Sequence, residues 1–168
     1  AAGMPVPEEI FFNQLKYNLQ TIQSLYPQVK IVLETAPCLP ETIARGAYKY
    51  VSDPEFISNF LKKTKSFLLL DLGHVSVTAY NLDYNQPTDY LKKLPLDRIL
   101  EIHIHRPRFS AEEGFWRDAH LPIESEQIKL LQFVLKRAKN VQAVVLESQG
   151  LHSQKTLIQE LKSLKKIL

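Results

Sequence analysis

Four short runs of apolar and β-branched residues recur along this chain, and each carries a potential metal ligand at its end. Val29-Lys30-Ile31-Val32-Leu33 closes at Glu34, and Ser66-Phe67-Leu68-Leu69-Leu70 closes at Asp71. The run 98–105 contains His103 and His105, and Val141-Gln142-Ala143-Val144-Val145-Leu146 closes at Glu147. Runs of this length and composition read as strands. Helical patterns separate them. Residues 8–26 place Phe11, Leu15, Leu19 and Ile22 on one face before Pro27 stops the helix. Asp53-Pro54 caps and starts a second helix that buries Ile57, Phe60 and Leu61. Further helices fall at about 87–93, at 124–138 with Ile128, Leu131, Leu135 and Ala138 on one stripe, and at 153–166 with Leu157, Leu161 and Leu164 inward. Residues 35–52 and 106–120 read as loops, the first with one helical turn. Strand and helix alternating at this spacing predict parallel strands joined by right-handed crossovers, an α/β chain of four strand–helix units behind a leading helix.

The carboxyl ends of parallel strands converge on one face, where sites form. Glu34, Asp71, His103 or His105, and Glu147 are therefore brought around one point. His74 follows Asp71 by three residues, and Asp118 with His120 lies beyond the third strand. A lone acid closing a strand is usually a helix cap or a solvated loop residue. His103 and His105 also share a strand face with Glu101, so either could be a satisfied core histidine. The coincidence on all four strands is what singles the set out. Several carboxylates and imidazoles facing one cavity are costly to bury without a counter-charge. Divalent cations supply it, and a His and carboxylate donor set without thiolate suits zinc, iron or manganese better than calcium or magnesium. The donors outnumber what one tetrahedral ion takes, so two or three metals are expected. His152 stands outside the pattern and reads as a surface residue.

Composition excludes other classes. The chain has 168 residues, 45% apolar and 23% charged, which suits one domain with a core rather than a disordered segment. A net charge of +3 does not advertise a nucleic-acid surface. Cys38 is the single cysteine, which excludes a disulfide framework and a cysteine-cluster zinc site. No apolar run approaches membrane length and no charged-then-apolar leader opens the chain, so a cytoplasmic setting is expected.

The ordered set Glu34, LDLGH (Asp71, His74), EIHIH (His103), DAHLPI (Asp118, His120) and VVLE (Glu147) resembles the xylose-isomerase-like TIM-barrel superfamily of endonuclease IV and the sugar isomerases and epimerases. Within it, MPVPEEI, SDPEFI, FLLLDLGHVSVTAYNL, YLKKLPLDRILEIHIH and WRDAHLPI are similar to the multinuclear-iron family typified by MbnB and TglH, which modify cysteine in ribosomally made peptides. The resemblance implies metal-ligand roles for Glu34, Asp71, His74, His103, Asp118, His120 and Glu147, with His105 the alternative to His103. It implies iron as the metal and a peptide or small molecule as substrate. Such barrels have eight strands and four are visible, so the resemblance covers the C-terminal half as a single domain over 1–168. The opening Ala1-Ala2-Gly3-Met4-Pro5 is similar to the loop before the fourth helix of a full barrel, and a fragment or truncated relative is expected.

The resemblance implies a metal-dependent enzyme that oxidatively modifies its substrate. An endonuclease IV-like or sugar-isomerase-like metal enzyme and a non-catalytic binding or assembly protein are the alternatives. Arg106 and Arg108 after the third strand argue against a simple sugar isomerase and can grip a phosphate or carboxylate. Two apolar edge strands would stay unpaired in a solitary chain, so a homodimer or a missing N-terminal half is expected as partner.

Overall fold

The computed structural model describes residues 6–41, 49–150 and 152–168. Its centre is a four-stranded sheet of β1 (Val32–Glu34), β2 (Phe67–Asp71), β3 (Ile99–Ile104) and a last strand at Ala143–Leu146, all parallel and adjacent in that order. Helices alternate with the strands. These include α1 (Glu8–Leu25), α2 (Lys49–Ser52), α3 (Pro54–Thr64), α4 (Leu72–Asn81), α5 (Pro87–Leu91), α6 (Ser125–Leu135) and α7 (Gln154–Lys165). This is a partial TIM-barrel arrangement, as the alternating pattern predicts.

The sheet has two unlike faces. Leu68, Leu70, Ile102 and Ile104 point outward and are almost fully buried under α3, α4 and α6 with Leu61, Leu72, Val75, Leu91, Leu131 and Val134. Each such side chain contributes roughly 1.5–3 kcal/mol, so the outer face carries the stability and leaves the inner face free for polar groups. A second cluster joins Leu19, Tyr50, Phe56 and Phe60 to Phe11, Phe12 and Leu15 of α1. Here the leading helix docks through aromatic rings 5.0–5.9 Å apart.

Several elements depart from the sequence reading. The first strand is only Val32–Glu34, because Val29 turns back to bond Tyr26 and is exposed. Arg98 belongs to a 3₁₀ turn and Val141 precedes the last strand. Helix α4 was not expected, since Val75, Val77 and Thr78 are β-branched and disfavour helix. It forms because Asp71 caps it directly from β2 and because nearly all of it is buried. The stretch 106–120 is not a loop. It forms an antiparallel hairpin of β4 (Arg106–Ser110) and β5 (Phe115–Leu121), turning at Gly114, and Ala143–Leu146 is therefore β6. Ile22 and Leu161 are exposed rather than inward. The segment 42–48 within the expected loop lies outside the described residues.

Candidate metal centre

Strand register brings the ligand-type residues together. Glu34, Leu69, Glu101 and Ala143 form one row across the sheet, and Asp71, His103 and Val145 form the next row two residues on. Both rows lie on the inner face, because side chains two apart on a strand share a side. His105 and Glu147 continue that face past the ends of β3 and β6. Trp116, Asp118 and His120 alternate along one face of β5, which brings the hairpin over the strand ends. His120 has a left-handed backbone with φ 44°, a region uncommon for residues with a Cβ.

Asp71 has two duties. Its Oδ1 accepts the His74 backbone N–H at 2.9 Å, capping α4, and lies 3.0 Å from His105 Nε2. The bland reading of this residue as a helix cap is correct, but it leaves Oδ2 buried and unpaired.

Outer partners orient the imidazoles. His74 Nδ1 donates to the Thr35 carbonyl at 2.6 Å, which turns its Nε2 toward Asp118 Oδ2 at 3.3 Å. His103 Nε2 lies 2.8 Å from Glu101 Oε1, leaving Nδ1 to face Glu147 Oε1 at 2.8 Å. His120 Nε2 meets the other Glu147 oxygen at 3.0 Å, and its Nδ1 lies 3.3 Å from Asp118 Oδ1. The His105 ring stacks on His120 with centroids 4.1 Å apart. Metal-binding histidines show this division of labour, one nitrogen held by a carbonyl or carboxylate and the other free.

The free atoms converge. While His103 Nδ1, His105 Nε2 and His120 Nδ1 face carboxylate oxygens at 2.8–3.3 Å, Asp71 Oδ2 and His105 Nδ1 are buried without a hydrogen-bond partner. Buried polar atoms are rarely left so. Three triads have donor atoms within 4.8 Å of one another: Glu34, Asp71 and His103; Asp71, His74 and His105; His105, Asp118 and His120. Asp71 and His105 are shared between triads. The donor set therefore fits divalent cations of the nitrogen- and oxygen-loving class.

Every sequence-predicted ligand lies in this cluster, and His103 and His105 both reach it. Arg106 does not face it freely: its Nε donates to the Pro122 carbonyl at 2.9 Å and lies 3.3 Å from Glu124, so it ties the hairpin to the following loop. Arg108 is exposed on β4, opposite Arg117. His152 is not a surface residue. Its side chain is fully buried, between Glu160 and the His120 carbonyl. The sequence reading also passed over Gly73, where a Cβ would sit 2.0 Å from His105 Cε1. A glycine beside a ligand motif is the one signal that could have marked it. Thr35 acts through its carbonyl, a contact 39 residues away that no spacing reveals, whereas the i, i+2 spacing already put Glu101 beside His103.

Residues 4–168 match the family of RiPP precursor modification enzymes MbnB/TglH/ChrH. The chain belongs to this family. It is 31% identical over 134 residues to a UPF0276 protein of Vibrio parahaemolyticus, covering 77% of this chain and 43% of that one. A UPF0276 protein of Acaryochloris marina is 36% identical over 84 residues, 49% of this chain and 29% of its own. One of Paraburkholderia phytofirmans is 33% identical over 102 residues, 56% and 33%. The chain thus spans less than half the length of the curated relatives it matches. Among the described residues no helix is long and apolar enough to cross a membrane.

Electrostatics give this MbnB/TglH/ChrH member a distinctive pH response. Burial alone would lower His74, but the Asp118 hydrogen bond, the charges of Asp71 and Asp118 and the Thr35 carbonyl raise it from 6.5 to about 9. His105 is raised in the same way: burial lowers it, and the Asp71 contact with the charges of Asp71 and Asp118 together outweigh burial. Asp71 and Asp118 are held below the usual carboxylate value against burial, Asp71 chiefly by His105 and His74 and Asp118 chiefly by His74. Burial pushes Glu34 up. In the metal-free chain His74 contributes stability that is complete below pH 6.5 and lost as pH rises through about 9. Metal needs the neutral imidazole, so affinity rises over the same window. Melting temperatures in chelator should therefore fall from pH 6.5 to 9, while those with saturating metal should hold or rise. Parallel curves would show that these imidazoles are not where the metal binds.

Proposed function

We propose that Glu34, Asp71, His74, His103, His105, Asp118, His120 and Glu147 hold two or three divalent metal ions, iron first, with zinc and manganese the alternatives. The carrying observation is the set of three donor triads joined through Asp71 and His105, with Asp71 Oδ2 and His105 Nδ1 buried and unpartnered among them. Asp118 and Glu147 each place their two oxygens beside different imidazoles, Asp118 beside His74 and His105 and Glu147 beside His103 and His120, so each could serve more than one ion. The enzyme so formed oxidatively modifies a ribosomally made peptide or a small molecule. Bound iron supplies redox chemistry toward dioxygen.

The chain's own residues do the rest. Thr35 and Glu101 fix the ring orientation of His74 and His103 before any metal arrives, so no reorganisation is needed. Trp116 stacks on Tyr80 with centroids 4.6 Å apart, and Asn81 holds the Trp116 backbone by bonds of 2.9 and 3.0 Å. That rigid aromatic wall adjoins Asp118 and His120 on the same strand face and offers an apolar side chain a place beside the centre. Arg108, exposed on the same hairpin, is available to an anionic group of the substrate. On this reading the described residues form four parallel strands of one barrel domain over 1–168, and further barrel strands would pair along the β1 and β6 edges.

Metal analysis of chain purified without oxygen tests this. Iron with a visible absorption band is the expected result. Near-zero metal, with a melting temperature that chelator does not move, would sink the reading. His74→Ala should weaken metal binding by more than the roughly 10–100-fold typical of outer partners. Helix α4 should persist, because the His74 contribution to its cap is a backbone N–H. Fold loss should stay within about 1–3 kcal/mol, read by denaturant melting beside the metal titration.

A further inference from the structure

We propose that His152 and Glu160 are positioning residues for the metal centre, holding the backbone of His120 so that its ring faces Asp118 and His105. This rests on the metal reading above. The His152 side chain is fully buried and that of Glu160 is 6% exposed. His152 Nε2 lies 3.0 Å from the His120 carbonyl oxygen, and Nδ1 lies 2.9 Å from Glu160 Oε2. Glu160 Oε1 accepts the Ile123 backbone N–H at 2.7 Å. A carbonyl can only accept, so Nε2 carries hydrogen, and a proton is shared between Nδ1 and the carboxylate. The two side chains thus tie α7 and the residues before it to the His120–Ile123 stretch in which β5 ends.

His120 requires such a bridge. It sits at φ 44°, and a non-glycine residue stays there only when its surroundings over-determine it. With φ relaxed to the extended region, the β5 backbone would turn and carry the imidazole away from Asp118 and from its stack on His105. A buried imidazole–carboxylate pair also costs more desolvation than an apolar pair of the same volume. An apolar pair would fill the space but could not hold a carbonyl on one side and an N–H on the other. Neither His152 nor Glu160 touches the donor atoms of the centre, so they act through His120.

The test is Co²⁺ titration of the full chain, wild type and variants, followed by absorption. His152→Ala should weaken Co²⁺ binding by about 10-fold or more and change the d–d spectrum, because one imidazole leaves its place. His152→Gln keeps a donor at the Nε2 position and should restore both. His152→Asn keeps the contact with Glu160 and loses reach to the His120 carbonyl, so it should behave like the alanine variant even where that variant folds poorly. A wild-type spectrum in His152→Asn, or a loss that His152→Gln does not restore, overturns the proposal. Amide exchange separates this from failure of the metal reading. In metal-free chain the Ile123 N–H, bonded to Glu160, should lose protection in His152→Ala and keep it in His152→Asn, which still meets Glu160. Wild type that binds no Co²⁺ but shows this exchange pattern refutes the metal site and leaves the bridge. Unchanged exchange refutes the bridge.

Discussion

Gly73→Ala is expected to destabilise the chain and weaken metal binding at the proposed centre, although the change is favourable by local rules. Gly73 lies in the first turn of α4, where alanine is the better helix former by about 1 kcal/mol. Its backbone is not in the left-handed region, so conformation does not demand glycine. Space does. A Cβ at 73 would meet His105 Cε1 at 2.0 Å, Nε2 at 2.2 Å and Nδ1 at 2.5 Å. The His105 ring cannot step aside, because it is fully buried, stacks on His120 and lies against Asp71. Forcing a methyl into such a place costs about 1–3 kcal/mol or more, which outweighs the propensity gain. Displacing His105 removes a donor from two of the three triads at once. Thermal melting with and without metal, together with metal content, checks this. A variant as stable as the parent with a full complement of metal would show that His105 moves freely.

The legible part of the fold was the part where a single pattern decides the outcome. Apolar runs ending at Glu34, Asp71 and Glu147 fixed the parallel sheet, since strand ends and convergence follow from periodicity alone. Helix α4 was illegible because Val75, Val77 and Thr78 speak against helix, and only burial against β2 and β3 and the Asp71 cap override them. The β4–β5 hairpin was illegible for a related reason: Arg106-Pro107-Arg108 looks like loop, and its partner strand begins beyond a turn at Gly114. The inner row of ligand types could be listed in advance. The shared strand face of Glu101 and His103 was legible as well, but the Thr35 carbonyl and the space at Gly73 are supplied by neighbours that sequence distance conceals. His152 was misplaced on the surface because nothing in its sequence neighbourhood points to Glu160 or to the His120 carbonyl.

Asp71→Ala should be the most damaging single change at a polar position, and its pH dependence should separate charge from capping. Asp71 is fully buried, caps α4 through the His74 N–H and lies 3.0 Å from His105 Nε2. Losing the cap costs about 1 kcal/mol. Leaving His74 and His105 without their buried counter-charge brings the total to about 3–5 kcal/mol in metal-free chain, and metal binding should be lost with it. Asp71→Asn retains an oxygen for the cap but not the charge, so it should lose metal as completely while costing less stability. The sign of the pH effect follows from His74, raised from 6.5 to about 9 with Asp71 among the causes. That stabilisation is complete below pH 6.5 and gone above about 9, while Asp71 itself stays ionised above its ordinary value of 3.8. The gap between parent and Asp71→Ala in chelator should therefore be widest at slightly acidic pH and narrow as pH rises through about 9. Urea melts at the two ends of that window measure it. Equal losses at both ends would mean that Asp71 serves the fold as a cap alone, and that the imidazoles beside it owe their charge to Asp118.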